Sequence, residues 1–184
     1  MNAASAAALG ITLALFSWTG AAQSQQNERP IRFGAWLPGN VMESRGDWGV
    51  RCEGSDPEAD LGQCEIIQNV SPIGSSAVLM HAAAGWAGDG LDPLAVLVFP
   101  LGVHLPSGVR IDGGADGGRT ADYQICTERG CQIELRVDDD LMSTFAAQDE
   151  VQIVVRSADM TEIGIPLSLD GFAAALNLVD SLEP

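Results

Sequence analysis

The chain runs to 184 residues, 46% hydrophobic and 18% charged, with 25 acidic side chains against 9 basic ones and a formal net charge of −16. Every base is Arg and none is Lys. A surface of that sign repels nucleic-acid phosphates and anionic lipid headgroups alike, which argues against both as partners.

The first charged residue is Glu28. Ahead of it, residues 3–18 are mostly apolar, and Gly20-Ala21-Ala22 supplies small residues at cleavage-compatible spacing. This predicts a secretory signal peptide over residues 1–22, cut near Ala22, although no Lys or Arg precedes the run. The competing reading is an uncleaved anchor, but a spanning helix needs roughly 20 strongly apolar residues and this run is rich in Ala. Residues 23–46 mix Gln, Asn, Pro, Gly and charge, and predict an N-terminal arm, mobile or draped over the domain. Residues 47–184 suffice for one domain with its own core.

Order is expected to begin at Trp48–Cys52, a short strand. Residues 53–62 are polar and acidic, hence a loop. Residues 64–70 and 77–82 read as strands about a turn at Ser71-Pro72-Ile73-Gly74, and residues 85–93 as a further loop. Leu94–Phe99 is a continuous apolar run between Pro93 and Pro100, which predicts a central strand buried on both faces. Val109–Asp112 follows a turn at Pro106-Ser107-Gly108, and residues 113–118 are loop.

Residues 123–126 and 131–137 predict a hairpin. Cys131, Ile133, Leu135 and Val137 face one way, and Gln132, Glu134 and Arg136 the other. Asp138-Asp139-Asp140 puts carboxylates at the positive end of a short helix over 141–147. Val151, Ile153 and Val155 alternate, as do Ile163, Ile165 and Leu167; Pro166 cannot donate to a ladder, so that strand belongs at an edge. A helix over 170–182 carries Phe172, Leu176 and Val179 on one face, placed to cap the core. About eight short strands, with neither βαβ spacing nor an internal repeat, give an all-β fold class. The expectation is an antiparallel, immunoglobulin-like β-sandwich with a short helix and a C-terminal helix.

Four cysteines in an exported chain make two disulfides most simply. Of the three connectivities, spacing favours Cys52 with Cys64 and Cys126 with Cys131. Zinc is the rival, but neither pair is C-x-x-C, and His81 and His104 lie far from a cysteine pair, so no metal is expected. Asp112 and Asp116 on the glycine loop offer two carboxylates, short of the ligand set of a calcium loop. Neither histidine has a nucleophile and an orienting acid at recognisable spacing, so no catalytic residue and no cofactor are expected. Trp48, Trp86 and Phe99 fit core packing better than a ligand groove. Thiol–disulfide chemistry at Cys126 and Cys131 has C-x₄-C spacing rather than the C-x-x-C of thioredoxin.

Five stretches then resemble a known family. They are W-x-x-x-C at Trp48–Cys52, C-E-x-x-Q at 64–68, P-L-G-V-x-L-x-x-G-V-x-x-x-x-G at 100–114, Y-x-x-C-x-x-x-G-C at 123–131 and L-S-L-x-G-F-x-x-A-L at 167–176. In this order they resemble the invasion-associated locus B family of exported alphaproteobacterial proteins, over about residues 48–178. The motif positions are Trp48, Pro100, Leu101, Gly102, Val103, Gly108, Gly130, Ser168, Gly171 and Phe172. The resemblance implies a periplasmic or envelope-associated β-sandwich without known catalytic activity. It carries over the cysteine framework of Cys52, Cys64, Cys126 and Cys131, and no catalytic set. The family takes its name from a member linked to host red-cell entry, but many relatives come from free-living bacteria, so that role does not transfer with the name. The lack of Lys and the acidic residues at 56–60 depart from the family and weigh against an anionic cell-surface ligand.

The expected function is a non-enzymatic envelope or periplasmic protein that binds another protein or supports an envelope assembly. The alternatives are a calcium- or small-ligand-binding module and, if the N-terminal segment is retained, a membrane-tethered accessory subunit. Membrane contact is expected only in that last case.

Overall fold

The computed structural model describes residues 31–34, 41–52, 64–86, 92–113 and 118–182, with backbone alone at 31–34 and 41–42. The signal segment, most of the N-terminal arm, the acidic loop at 53–62 and the centre of the glycine loop at 114–117 lie outside the described residues.

The chain first builds a large sheet from β1 (Ile31–Gly34), β2 (Val41–Arg45), β3 (Trp48–Cys52), β4 (Cys64–Pro72), β5 (Met80–Gly85) and β6 (Leu94–Phe99). It crosses to a smaller sheet for β7 (Val109–Asp112) and β8 (Arg119–Ala121), then returns for the hairpin of β9 (Tyr123–Thr127) and β10 (Gly130–Arg136). Helix α1 (Asp139–Ala146) leads to β11 (Glu150–Arg156) and β12 (Glu162–Ser168) of the smaller sheet, and α2 (Phe172–Leu182) follows. The strand orders are β2-β3-β4-β5-β6-β10-β9, with β1 beside β4, and β12-β11-β7-β8. The fold is the expected antiparallel all-β sandwich with two helices.

Register explains the core. Val50, Ile66, Ala84, Ala95 and Leu135 stand in one row across five strands, and Gln68, Ala82, Leu97 and Ile133 in the next. These rows face Ile111, Ile153 and Ile165 of the smaller sheet, and all of them but Gln68 join one apolar cluster. Each large aliphatic side chain buried this way contributes about 1.5–3 kcal/mol. Trp48 meets Phe172 edge to face at 5.1 Å, and Phe172 meets Phe145 of α1 at 5.5 Å, so both helices are tied into the core through aromatics. Asp138 caps α1 by accepting from the Leu141 N–H at 3.0 Å, as the aspartate run predicts. The last strand, with Pro166, lies at a sheet edge.

Four details differ from expectation. Order begins before Trp48, because β1 pairs with the end of β4 and β2 with β3, inside the stretch expected as an arm. Strand β5 runs from Met80 to Gly85 rather than over 77–82. The Ser75 hydroxyl accepts from the Ala77 N–H at 3.0 Å and holds that segment in a turn, while the alanine run lacks the alternation that marks a strand's ends. Strand β6 is central, but only Ala95, Leu97 and Phe99 are fully buried; Leu94, Val96 and Val98 are half-buried on the outer face of the sheet. Strand β8, three residues long, falls in a segment with no strand pattern.

Both disulfides form as spacing favours, each between directly facing residues of neighbouring strands, with Cα atoms 3.9 Å and 4.0 Å apart. Their surroundings differ. Cys52 and Cys64 are in the core, whereas Cys126 is exposed on the edge strand β9 above a buried Cys131. Mild thiol treatment of the native protein should therefore open only the Cys126–Cys131 bond, because the thiolate must reach a sulfur. Alkylation and peptide mass mapping should find two labelled thiols, at Cys126 and Cys131, before any at Cys52 or Cys64; simultaneous labelling of all four would contradict this.

Candidate functional site

His81, His104, Asp112 and Asp138 are engaged in local structure. The His81 ring pairs with Asn69 Oδ1 at 2.8 Å, and burial, then the Arg51 guanidinium, hold its pKa below the ordinary range against the pull of Glu65. His104 pairs with Ser107 Oγ at 2.8 Å inside the short 3-10 turn Leu105–Ser107. Neither ring is held by a carboxylate among the described residues. Asp112 lies 3.3 Å from Arg110, and the described residues contain no group of three metal-ligating side chains. Asp138, besides capping α1, accepts from Arg119 at 2.7 Å, and that bond holds its carboxyl below the usual range. Trp48 and Phe99 are core residues, and Trp86 is half-buried against the core.

Three of the sequence motifs converge on one buried point. The Gln68 amide accepts from the Ser168 N–H at 3.1 Å and donates to the Ser168 carbonyl at 3.2 Å, so it stands in for a neighbouring strand on the open edge of β12. Trp48 Nε1 donates to the same carbonyl at 2.9 Å. The Ser168 hydroxyl donates to Asp47 at 2.6 Å and accepts from the Asp170 N–H at 3.2 Å, and the Asp47 N–H reaches the Asp170 carbonyl at 3.1 Å. Trp48, Gln68, Ser168, Gly171 and Phe172 thus join the two sheets and α2, and their chemistry is spent on the fold. Gly108 and Gly130 lie against the backbone carbonyls of Ala121 and Phe99, where a side chain has no room.

Tyr123 packs edge to face on Phe99 at 6.1 Å, with its hydroxyl shielded and without a hydrogen-bond partner among the described residues. Burial pushes its pKa up to about 12. The fold favours the neutral phenol, so this contribution is intact below the ordinary value near 10 and is lost as pH rises through about 12. It is the one tyrosine in the chain, so an alkaline absorbance titration reads it alone. The midpoint should fall near 12 in the native protein and near 10 in denaturant; equal midpoints would contradict the burial.

The P-L-G-V motif behaves differently from the others. Gly102 O accepts from the Ala158 N–H at 2.8 Å, Val103 bridges to Ser157, and the His104 N–H reaches the Arg156 carbonyl at 2.7 Å. These bonds bring loop 100–108 beside the β11–β12 turn at 157–161, and the ladder order sets the β4–β5 turn at 73–79 at the same end. Between them opens an apolar groove of about 210 Å³ walled by Leu79, Phe99, Val103, Val155, Ile163 and Ile165. Seven large apolar side chains are exposed among the described residues, and six are here: Ile73, Val78, Leu101, Leu105, Met160 and Ile163. Leu101, in the motif itself, is 61% exposed. The end is also short of charge. Across 73–79, 100–108 and 157–161 there is one carboxylate, Asp159, and no Arg. That carboxylate is turned back into its own turn, accepting from the Ser157 hydroxyl and the Thr161 N–H. Sequence reasoning singled out Leu101 but missed Val78 and Met160, for which the available signal was bulky apolar residues inside turns; it placed Ile163 on one strand face with Ile165 and Leu167, whereas Ile163 is exposed near the start of β12.

No helix among the described residues is long and apolar enough to cross a membrane. Among curated proteins none matches the chain. The crystal structure of invasion associated protein B from Bartonella henselae has a similar fold, with a TM-score of 0.65 and 19% identity, over 76% of this chain and 96% of that one. The family model described as Invasion associated locus B (IalB) protein matches residues 48–180, well over half of the sequence, and the chain belongs to that family.

Proposed function

We propose that this is a non-enzymatic exported protein of the cell envelope that works by binding another protein through the apolar end of its sandwich. The observation that supports the reading is the presence of six exposed Leu, Ile, Val and Met side chains at one end of the sandwich, two of which, Leu101 and Ile163, line a groove. Exposed apolar side chains concentrated at one end of an otherwise strongly charged protein favour an interaction site there. The engagement of both histidines and of the polar motif side chains in fold-holding bonds supports a binding role over a catalytic one. Family membership supports export.

A photoreactive amino acid in place of Leu101, introduced into the protein in its native envelope, tests this reading. Adducts with another protein are expected there, and none from the same group at Gln152, on the exposed outer face of the smaller sheet. A protein that yields no Leu101-specific adduct and elutes as a free monomer from periplasm would overturn it.

A further inference from the structure

The two disulfides are chemically unequal, and the difference falls on an edge strand. We propose that Cys126–Cys131 is a reducible site on which the dithiol of another protein acts, and that its reduction releases β9 from the large sheet.

Access comes first. Cys52 and Cys64 are 5% and 2% exposed, between the paired strands β3 and β4. Cys126 is exposed on β9, the last strand in the order of the large sheet, while Cys131 opposite it is 3% exposed. An attacking thiolate therefore reaches the sulfur of Cys126. A bond forms from the attacking sulfur to Cys126 Sγ, the bond to Cys131 Sγ breaks, and Cys131 leaves as a thiolate that takes up a proton. The partner's second thiol then attacks the mixed disulfide and frees Cys126 as a thiol. Two electrons and two protons pass to the cysteine pair, and the partner dithiol ends as a disulfide.

What the bond holds comes second. β9 sets one side chain, Tyr123, against the core, while Gln124, Ile125, Cys126 and Thr127 are exposed. Its ladder to β10 runs only from Gly130–Thr127 to Ile133–Tyr123 and is interrupted after Gln132. Beyond the interruption the Glu134 N–H donates to the Gln124 side chain at 2.8 Å instead of to a strand carbonyl. On its other side β10 is paired to β6 without a break from Cys131 to Arg136, and Gly130 is seated against the Phe99 carbonyl. Reduction thus frees β9 and leaves β10 in place.

The two events assist each other. A Cys131 thiolate sealed under β9 is poorly solvated, and lifting the strand admits water to it. A strand with few buried apolar side chains opens readily once its crosslink is gone. The edge of the large sheet then registers the thiol–disulfide balance around the protein.

The test uses the oxidised protein purified from its native envelope, with reduced thioredoxin as the dithiol probe and dithiothreitol at equal thiol concentration as the comparison. Alkylation with peptide mass mapping reads the bonds, and amide hydrogen exchange reads the strands. Thioredoxin should open Cys126–Cys131 at least tenfold faster than dithiothreitol does, with Cys52–Cys64 intact. The protected amides of 123–127 should then exchange at least tenfold faster, with β3, β4, β11 and β12 unchanged, and reoxidation should restore them. The double variant Cys126→Ser, Cys131→Ser should show the same exchange with no reductant present; the reduced wild-type protein supplies that readout without any substitution.

Three results overturn the proposal: opening of both disulfides together, no gain of thioredoxin over dithiothreitol, or a reduced protein whose 123–127 amides exchange as in the oxidised one. The last would make Cys126–Cys131 a crosslink on a strand that its hydrogen bonds already hold.

Discussion

Gly171→Ala is expected to destabilise the protein by at least about 3 kcal/mol, measured by urea unfolding with both disulfides intact. Two costs combine. At φ 82 an L side chain is strained by about 1–2 kcal/mol. The added Cβ would also collide with the backbone carbonyl of Arg45. That carbonyl cannot retreat easily, because β2 is paired to β3 and the following Gly46 is itself pressed on Asp170: a Cβ on Gly46 would lie 2.5 Å from the Asp170 carbonyl oxygen. Nor can Gly171 move away, since the next residue, Phe172, is wedged between Trp48 and Phe145. Gly74→Ala is the control. Its φ is 77, nearly the same, but nothing lies within 4 Å of its would-be Cβ, so it should cost only the conformational part, about 1–2 kcal/mol. Equal losses at the two positions would mean that the turn between β12 and α2 is free to shift.

That contrast shows which features were legible in the sequence. The alternation of Cys131, Ile133, Leu135 and Val137 marks a half-buried strand because side chains in a strand alternate by geometry, and Pro166 marks an edge because it has no N–H to give. Cysteine spacing favoured both disulfides for a similarly local reason. Features that depend on distant contacts were not legible. Gly171 and Gly74 look alike in sequence, and only the meeting of Gly171 with Arg45, more than a hundred residues away, distinguishes them. Strands β1 and β2 are held by pairing with β4 and β3, and the mixture of Asn, Pro, Gly and charge around them concealed them. The apolar end was hidden for a third reason. Ile73, Val78, Leu101 and Met160 lie in turns and Ile163 reads as part of an alternating strand, and they come to one end of the sandwich only when three separate turns are brought together.

Gln68→Leu, close in volume to the native residue, is expected to cost about 2–4 kcal/mol. The Ser168 N–H loses its acceptor in a site with no access to water, and an orphaned buried group costs about 1–3 kcal/mol. The Ser168 carbonyl loses one of its donors but keeps Trp48 Nε1. Trp48→Phe alone should therefore be milder in its polar part, and the double variant should lose more than the sum of the single ones, because each remaining donor covers for the other. Gln68→Glu separates hydrogen bonding from shape. Its carboxylate would face the backbone carbonyls of Ser168 and Asp47 in place of an N–H donor, so at neutral pH it should be worse than Leu. It should recover stability as pH falls and the new carboxyl takes up a proton that can be donated. If Gln68→Leu were instead neutral, the polar junction would not be what joins β12 to the large sheet. If the ordering holds, three of the five sequence motifs are accounted for by fold alone. A side chain such as Leu101, carried in a motif yet 61% exposed, is then left to be explained by something outside the molecule. Variants at Gln68 should lower the melting temperature and leave partner affinity intact in the folded fraction, whereas variants at Leu101 should do the reverse.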